Sequence, residues 1–178
     1  MSLIGSLAAK VAARFDDRAP VFYAADMVTF TLRGGVWHVL VIQRGWNPHK
    51  GKLALPGGHV DAGETSREAA VRELAEETGV TVPESAFVHQ VGVFDAPGRD
   101  ARGRYVSVAY AVVLPDEAPD PVAADDAMAA EWMPVRVAVK VARAGGFAFD
   151  HDRILAAAIT AFNLPRTLRT HLGRGEES

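Results

Sequence analysis

Apolar and polar positions alternate in blocks that predict a mixed set of elements. Residues 24–32 and 36–42 are two apolar runs rich in β-branched side chains, separated by Arg33-Gly34-Gly35. That arrangement predicts two strands joined by a hairpin turn. Residues 44–58 are rich in Gly and Pro and predict a loop. Residues 65–78 carry a helical pattern, and residues 88–94 and 105–114 read as strands flanking a polar loop at 95–104. Pro115, Pro119 and Pro121 argue against regular structure over 115–126. A short strand is expected at 129–133, and a closing helix at 150–162, stopped before Pro165.

Strands interspersed with helices predict an α/β domain with a mixed sheet, whose strand order the pattern does not give. The expected layout is an N-terminal helical extension over 1–20, one domain over 21–165 and a C-terminal tail over 166–178. Leu3, Ile4, Leu7, Val11 and Phe15 have loose helical spacing, read as a docking helix.

Composition narrows the classes. The chain has 178 residues, 49% hydrophobic and 23% charged, and a formal net charge of −3. That suits one globular domain and offers no electrostatic footprint for nucleic acid or an anionic membrane. With no cysteine, disulfides, thiolate metal sites and a cysteine nucleophile are excluded, and a cytoplasmic setting is expected. No apolar run reaches the length of a membrane span, and the start lacks the features of a signal peptide.

The chemistry concentrates in the 65–78 helix. Thr65 and Glu68 have capping-box spacing, and Gly79 stands where a helix ends. Residues advance about 100° each along a helix. Glu73, Glu76 and Glu77 are thus expected on one face with Ala69, and Val71, Leu74, Ala75 and Thr78 opposite. Three like charges at such spacing repel, and the helix C-terminus disfavours anions. A broken local rule without a structural gain points to function. A hard divalent cation would resolve the conflict. Gly57-Gly58 allows close backbone approach and offers carbonyl oxygens, and Arg72 is placed to pair with Glu64.

Gly58, Glu64 and the run Arg72-Glu73-Leu74-Ala75-Glu76-Glu77-Thr78-Gly79-Val80 resemble the Nudix box at every fixed position. Chance coincidence of the invariant residues is on the order of 10⁻⁹ per start site. The resemblance implies an α/β/α sandwich with a mixed β-sheet, the catalytic helix at about 65–78, and hydrolysis of a nucleoside diphosphate linked to another group. It implies Glu73, Glu76 and Glu77 as metal carboxylates, the Gly57 carbonyl as a further ligand, and Glu64 with Arg72 as a supporting pair. Mg²⁺ is the implied cofactor, with Mn²⁺ as substitute.

Phe94-Asp95-Ala96-Pro97-Gly98-Arg99-Asp100, then Arg102-Gly103-Arg104, and Phe147-Ala148-Phe149-Asp150-His151 resemble stretches of bacterial ADP-ribose pyrophosphatase-like members. Arg99, Arg102, Arg104 and Phe94 are accordingly candidate substrate contacts. Glu73, Asp125 and Asp126 are candidates for the general base. His59 reads as a surface loop residue, Trp46 as core or rim packing, and Asp150-His151 as a structural pair at a helix start. The leading expectation is cleavage of ADP-ribose or a related nucleotide-sugar. The alternatives are hydrolysis of oxidised nucleoside triphosphates and a non-catalytic nucleotide sensor. A small-molecule nucleotide partner is expected, with a homodimer as an option and neither nucleic acid nor membrane.

Overall fold

The computed structural model describes residues 19–124 and 127–164. Residues 1–18 of the expected N-terminal helical extension (1–20), the loop candidates Asp125 and Asp126, and the C-terminal tail lie outside the described residues; 19–20 are not helical. Seven strands and three helices make up the rest: β1 (Val21–Arg33), β2 (Val36–Arg44), β3 (Leu53–Ala54), β4 (Gly57–His59), α1 (Ser66–Thr78), β5 (His89–Phe94), β6 (Arg104–Val113), β7 (Ala127–Pro134), α2 (Val135–Arg143) and α3 (His151–Ala161).

The sheet order is β3-β2-β1-β6-β5, with β7 on β2 and β4 on β1. β1 and β6 run parallel, and the other pairs are antiparallel, so the sheet is mixed as expected. The β1–β2 hairpin closes through Gly34 and Gly35 at φ 53° and 73°. Positive φ at both central residues defines the type I′ turn that matches strand twist.

Side chains alternate across β1. Val28 and Phe30 join a cluster with α2 (Val135, Ala138, Val139) and α3 (Ile154, Leu155, Ala158, Ile159). Ala25 and Met27 face the other side, against Ala69, Ala70 and Leu74 of α1. Helices therefore cover both faces, which makes the expected sandwich.

One irregularity positions the site. β1 pairs with β2 only over Phe30–Arg33, while its first half pairs on that same edge with β4. Between the two ladders, the Met27 N–H donates to the Pro56 carbonyl at 2.8 Å. The expected loop at 44–58 thus contains β3 and the start of β4, strands too short to leave a periodic signal. The sequence reading also assigns no element to α2. Its valines at 135, 137, 139 and 141 alternate as in a strand, yet tertiary burial of Val135, Ala138 and Val139 makes it helical.

Candidate functional site

α1 begins at a complete capping box. The Thr65 hydroxyl accepts from the Glu68 N–H at 3.3 Å, and the Glu68 carboxylate accepts from the Thr65 N–H at 2.7 Å. Gly79 ends the helix in the left-handed conformation, its N–H donating to Ala75 O at 2.8 Å. Both ends are therefore fixed by local bonds, and packing of Ala69, Ala70 and Leu74 against the sheet sets the rotation of the acidic face.

That rotation corrects the expected faces. Ser66, Ala69, Ala70, Leu74, Glu77 and Thr78 are buried, so Ala69 and Glu77 belong to the inward side. Glu73 is half-buried and Glu76 exposed. The three carboxylates descend from solvent to core rather than sharing one stripe. Among the described residues, no three acidic or histidine side chains converge closely enough to hold a metal ion.

Arg72 ties together two of these carboxylates. Its Nη1 donates to Glu73 Oε1 at 2.9 Å and to Glu76 Oε2 at 2.8 Å. Its Nη2 and Nε donate to Glu64 at 2.6 and 3.2 Å, and Nη2 also donates to the His59 carbonyl at 3.0 Å. One guanidinium relieves the like-charge repulsion that the sequence predicts. Its partners, Glu64 foremost, push the Arg72 pKa up. Hydrogen bonds from Arg72 in turn hold the Glu64 carboxyl below its ordinary range. Burial pushes Glu73 up, outweighing the opposing pull of Arg72.

β4 forms a ledge beside these acids. The Gly57 N–H donates to Glu77 Oε2 at 3.0 Å. A Cβ at Gly58 would meet Glu73 Oε2 at 2.7 Å, with the rest of that carboxyl closer still. A Cβ at Gly57 would meet Asp26 Oδ1 at 2.6 Å. Only glycine permits carboxylates this close to the backbone. The donor atoms here are oxygens, mostly of carboxylates, the chemistry that a hard divalent cation prefers.

Behind the ledge, a cleft is lined by Asp26, Arg44, Gly57, Gly58, His59, Arg99, Arg102, Tyr105, Phe149 and His151, among others. Of the candidate substrate contacts, Arg99 and Arg102 reach it. Arg99 is buried and committed to Asp150, with bonds of 3.1 and 2.6 Å, and stands 4.0 Å from Asp26. It braces the cleft wall instead of reaching out from a solvated loop. Arg102 is held by Asp100 and lies over aromatic rings. Arg104 points elsewhere, donating to the Asp95 carbonyl. Phe94 packs against the α2–α3 core cluster, so it does not face the cleft. Trp46, expected to pack, is 64% exposed.

Asp150 and His151 are structural, but not as a cap. Asp150 makes no side-chain capping bond to α3 and pairs with Arg99 instead. The buried His151 ring accepts from the Leu55 N–H at 2.9 Å and lies 3.6 Å from Asp26. Burial pushes its pKa down, against the pull of Asp26. The sequence reading misses Asp26, whose signal was a lone carboxylate inside an apolar strand. It also gives no role to Arg44, Tyr105 or Phe149, which spacing alone does not bring together.

A family model described as "NUDIX domain" matches residues 22–157. The chain belongs to the Nudix family. An ADP-ribose pyrophosphatase of Methanocaldococcus jannaschii is 40% identical over 117 residues, 66% of this chain and 63% of that protein. The Nudix chain thus spans under two thirds of that relative's length. Among solved structures, the NUDIX domain of Shewanella oneidensis NrtR complexed with ADP ribose superposes with a TM-score of 0.72 and 26% identity, covering 91% of this chain and 99% of that one. A bifunctional NMN adenylyltransferase/ADP ribose pyrophosphatase from Francisella tularensis, complexed with AMP and a Mn ion, gives a TM-score of 0.71 and 28% identity, covering 87% and 46%. These likenesses agree with the box and with the Nudix sandwich built from its strands. Among the described residues, no helix is long and apolar enough to cross a membrane.

Proposed function

We propose that this Nudix chain hydrolyses the diphosphate linkage of a nucleoside diphosphate derivative, with ADP-ribose or a related nucleotide-sugar as the substrate. The products are a nucleoside monophosphate and a sugar phosphate. The observation that carries this reading is the Gly57-Gly58 ledge, bracketed by Glu73 and Glu77 and opening on a cleft lined with arginine and aromatic groups. The names of the relatives with ADP-ribose support the substrate class.

Glu73, Glu76, Glu77 and the Gly57 carbonyl would hold Mg²⁺, with Mn²⁺ as substitute. A bound divalent cation there supplies charge neutralisation on the diphosphate and a more acidic water. Glu64 and Arg72 orient the acids. Glu73 is the internal candidate to take the proton of the attacking water. Asp125 and Asp126 are the loop candidates, on residues outside those described. A nucleotide substrate and a cysteine-free chain suit the cytoplasm, and the net charge of −3 gives no reason to add a nucleic-acid partner.

The test is a substrate panel with Mg²⁺, following AMP release. Release of AMP from ADP-ribose in preference to other substrates is the expected result. Preferential release of pyrophosphate from an oxidised triphosphate would replace it with the second hydrolytic reading. Binding of ADP-ribose without cleavage under Mg²⁺ or Mn²⁺ would make the chain a sensor.

A further inference from the structure

The Gly57-Gly58 ledge continues a short joint that lies between two ladders. β3 pairs with β2 at Leu53 and Ala54, and β4 pairs with β1 from Gly57 onward. Leu55 and Pro56 carry the chain from one partner strand to the other. Proline has no N–H, so Leu55 supplies the backbone donor of the joint. This buried N–H goes to Nδ1 of His151 at 2.9 Å, 96 positions away. The Pro56 carbonyl takes the Met27 N–H at 2.8 Å, and the Gly57 N–H goes to Glu77 at 3.0 Å. Consecutive residues leading into the ledge are thus pinned, the first of them by a histidine ring.

The ring is itself held in place. Nδ1 accepts, so the neutral imidazole carries its proton on Nε2. Nε2 faces Asp26 Oδ1 at 3.6 Å. The Ser107 hydroxyl donates to the other oxygen of Asp26. The same Oδ1 lies against Gly57, where an added Cβ would come within 2.6 Å of it. The connector before α3 pairs with β3, through Leu53 N–H to Gly146 O at 3.1 Å and Ala148 N–H to Leu53 O at 2.8 Å. Both nitrogens of His151 therefore meet groups that border Gly57. A residue present only to fill the space behind the cleft would need neither.

We propose that His151, seated against Asp26, is a positioning residue for the ledge: its Nδ1 fixes the joint at Leu55 and so sets where the Gly57 carbonyl meets a divalent cation. This deepens the proposed function and rests on it for the metal role of the ledge. A backbone carbonyl moves only with its chain, so its outer support is a group that grips the chain close by. Loss of such a support weakens metal binding by about 10 to 100-fold.

H151N and H151Q separate the two nitrogens. The amide of H151N stands where Nδ1 stood and keeps an acceptor for Leu55. The longer amide of H151Q reaches toward Asp26 and leaves the Leu55 N–H without that acceptor. The experiment titrates Mn²⁺ into the full chain without substrate, reads free Mn²⁺ by electron paramagnetic resonance, and records the metal-free Tm. H151Q should bind Mn²⁺ about tenfold or more weakly than the wild type, and H151N within about threefold of it. H151N removes more buried volume, so a role in packing alone would make it the less stable variant and leave both Mn²⁺ affinities at the wild-type value. That result overturns the proposal, as does absence of Mn²⁺ binding by the wild type. Should H151Q fail to fold, hydrogen exchange on the wild type decides, because coupling between the Leu55 bond and the metal is reciprocal. Mg²⁺ should slow exchange of the Leu55 amide about tenfold more than exchange of the α2 amides. Equal slowing overturns the proposal. If the Mn²⁺ affinities are uniform while ADP-ribose is cut, the positioning role falls and the proposed function stands. If H151Q shows the loss and no diphosphate is cut, the positioning role stands without the hydrolysis.

Discussion

The Arg72 guanidinium and the Glu64 carboxylate are joined edge to edge, through Nη2 at 2.6 Å and Nε at 3.2 Å. The pair links the loop before α1 to the middle of that helix, and the same guanidinium also holds Glu73 and Glu76. A lysine keeps the charge but not the fork. R72K should therefore lower kcat/KM with Mg²⁺ by about 10 to 100-fold while the protein stays folded. Steady-state kinetics and circular dichroism check this, and a wild-type kcat/KM in R72K would sink the positioning role.

Gly58 separates the catalytic proposal from simple packing. An added methyl group would displace the Glu73 carboxyl, which is the movable end of a side chain. G58A should melt close to the wild type yet lose about tenfold or more in turnover, because a shift of about 1 Å at a reacting centre is costly. Turnover that falls only in proportion to a lowered Tm would show a structural role alone.

Glu76 is exposed, so removing its charge costs the fold little. E76Q should leave the metal-free Tm nearly unchanged and cut turnover about 100-fold or more. Ligand linkage adds about 2.7 kcal/mol at a hundredfold excess over Kd. For a domain of this size, that corresponds to a Tm rise of about 5 to 10 °C on adding Mg²⁺ to the wild type. The rise should shrink in E76Q. A thermal shift of equal size in both proteins would remove Glu76 from the ligand set.

His151 gives the fold a pH dependence. Burial lowers its pKa from the ordinary 6.5, so the unfolded chain takes up a proton before the folded one does. This contribution to stability is complete above about 6.5 and is lost progressively as pH falls toward the folded value. H151N keeps an acceptor for the Leu55 N–H and removes the titration. Urea melts between pH 5 and 8 should show a shallower acid decline for H151N. Identical slopes for the two proteins would contradict the assignment.

How much the chain discloses in advance depends on whether the cause is local. The α1 capping box and the Gly34-Gly35 turn are local chemistry, and both are legible. The rotation of α1 is not, because burial of Glu77 depends on the Gly57 N–H twenty positions away. Arg99 was legible as a candidate but not as a brace, since Asp150 lies 51 positions on. Phe149 stands in a stretch that the resemblance marks, but its positive φ was not legible in the sequence. β3 and β4 are two and three residues long, and no periodicity exists over that span.

The Arg99–Asp150 bond also changes what kind of loop joins β5 to β6. A span tethered only at its ends can swell or shrink freely during divergence. This one is pinned near its midpoint to the start of α3, so it behaves as two short spans with little slack. Ala96, Pro97 and Gly98 form the exposed arm, where added residues and protease nicks are accommodated. The stretch from Arg99 to Gly103 has no such freedom, and a change of length there would pull on the last helix.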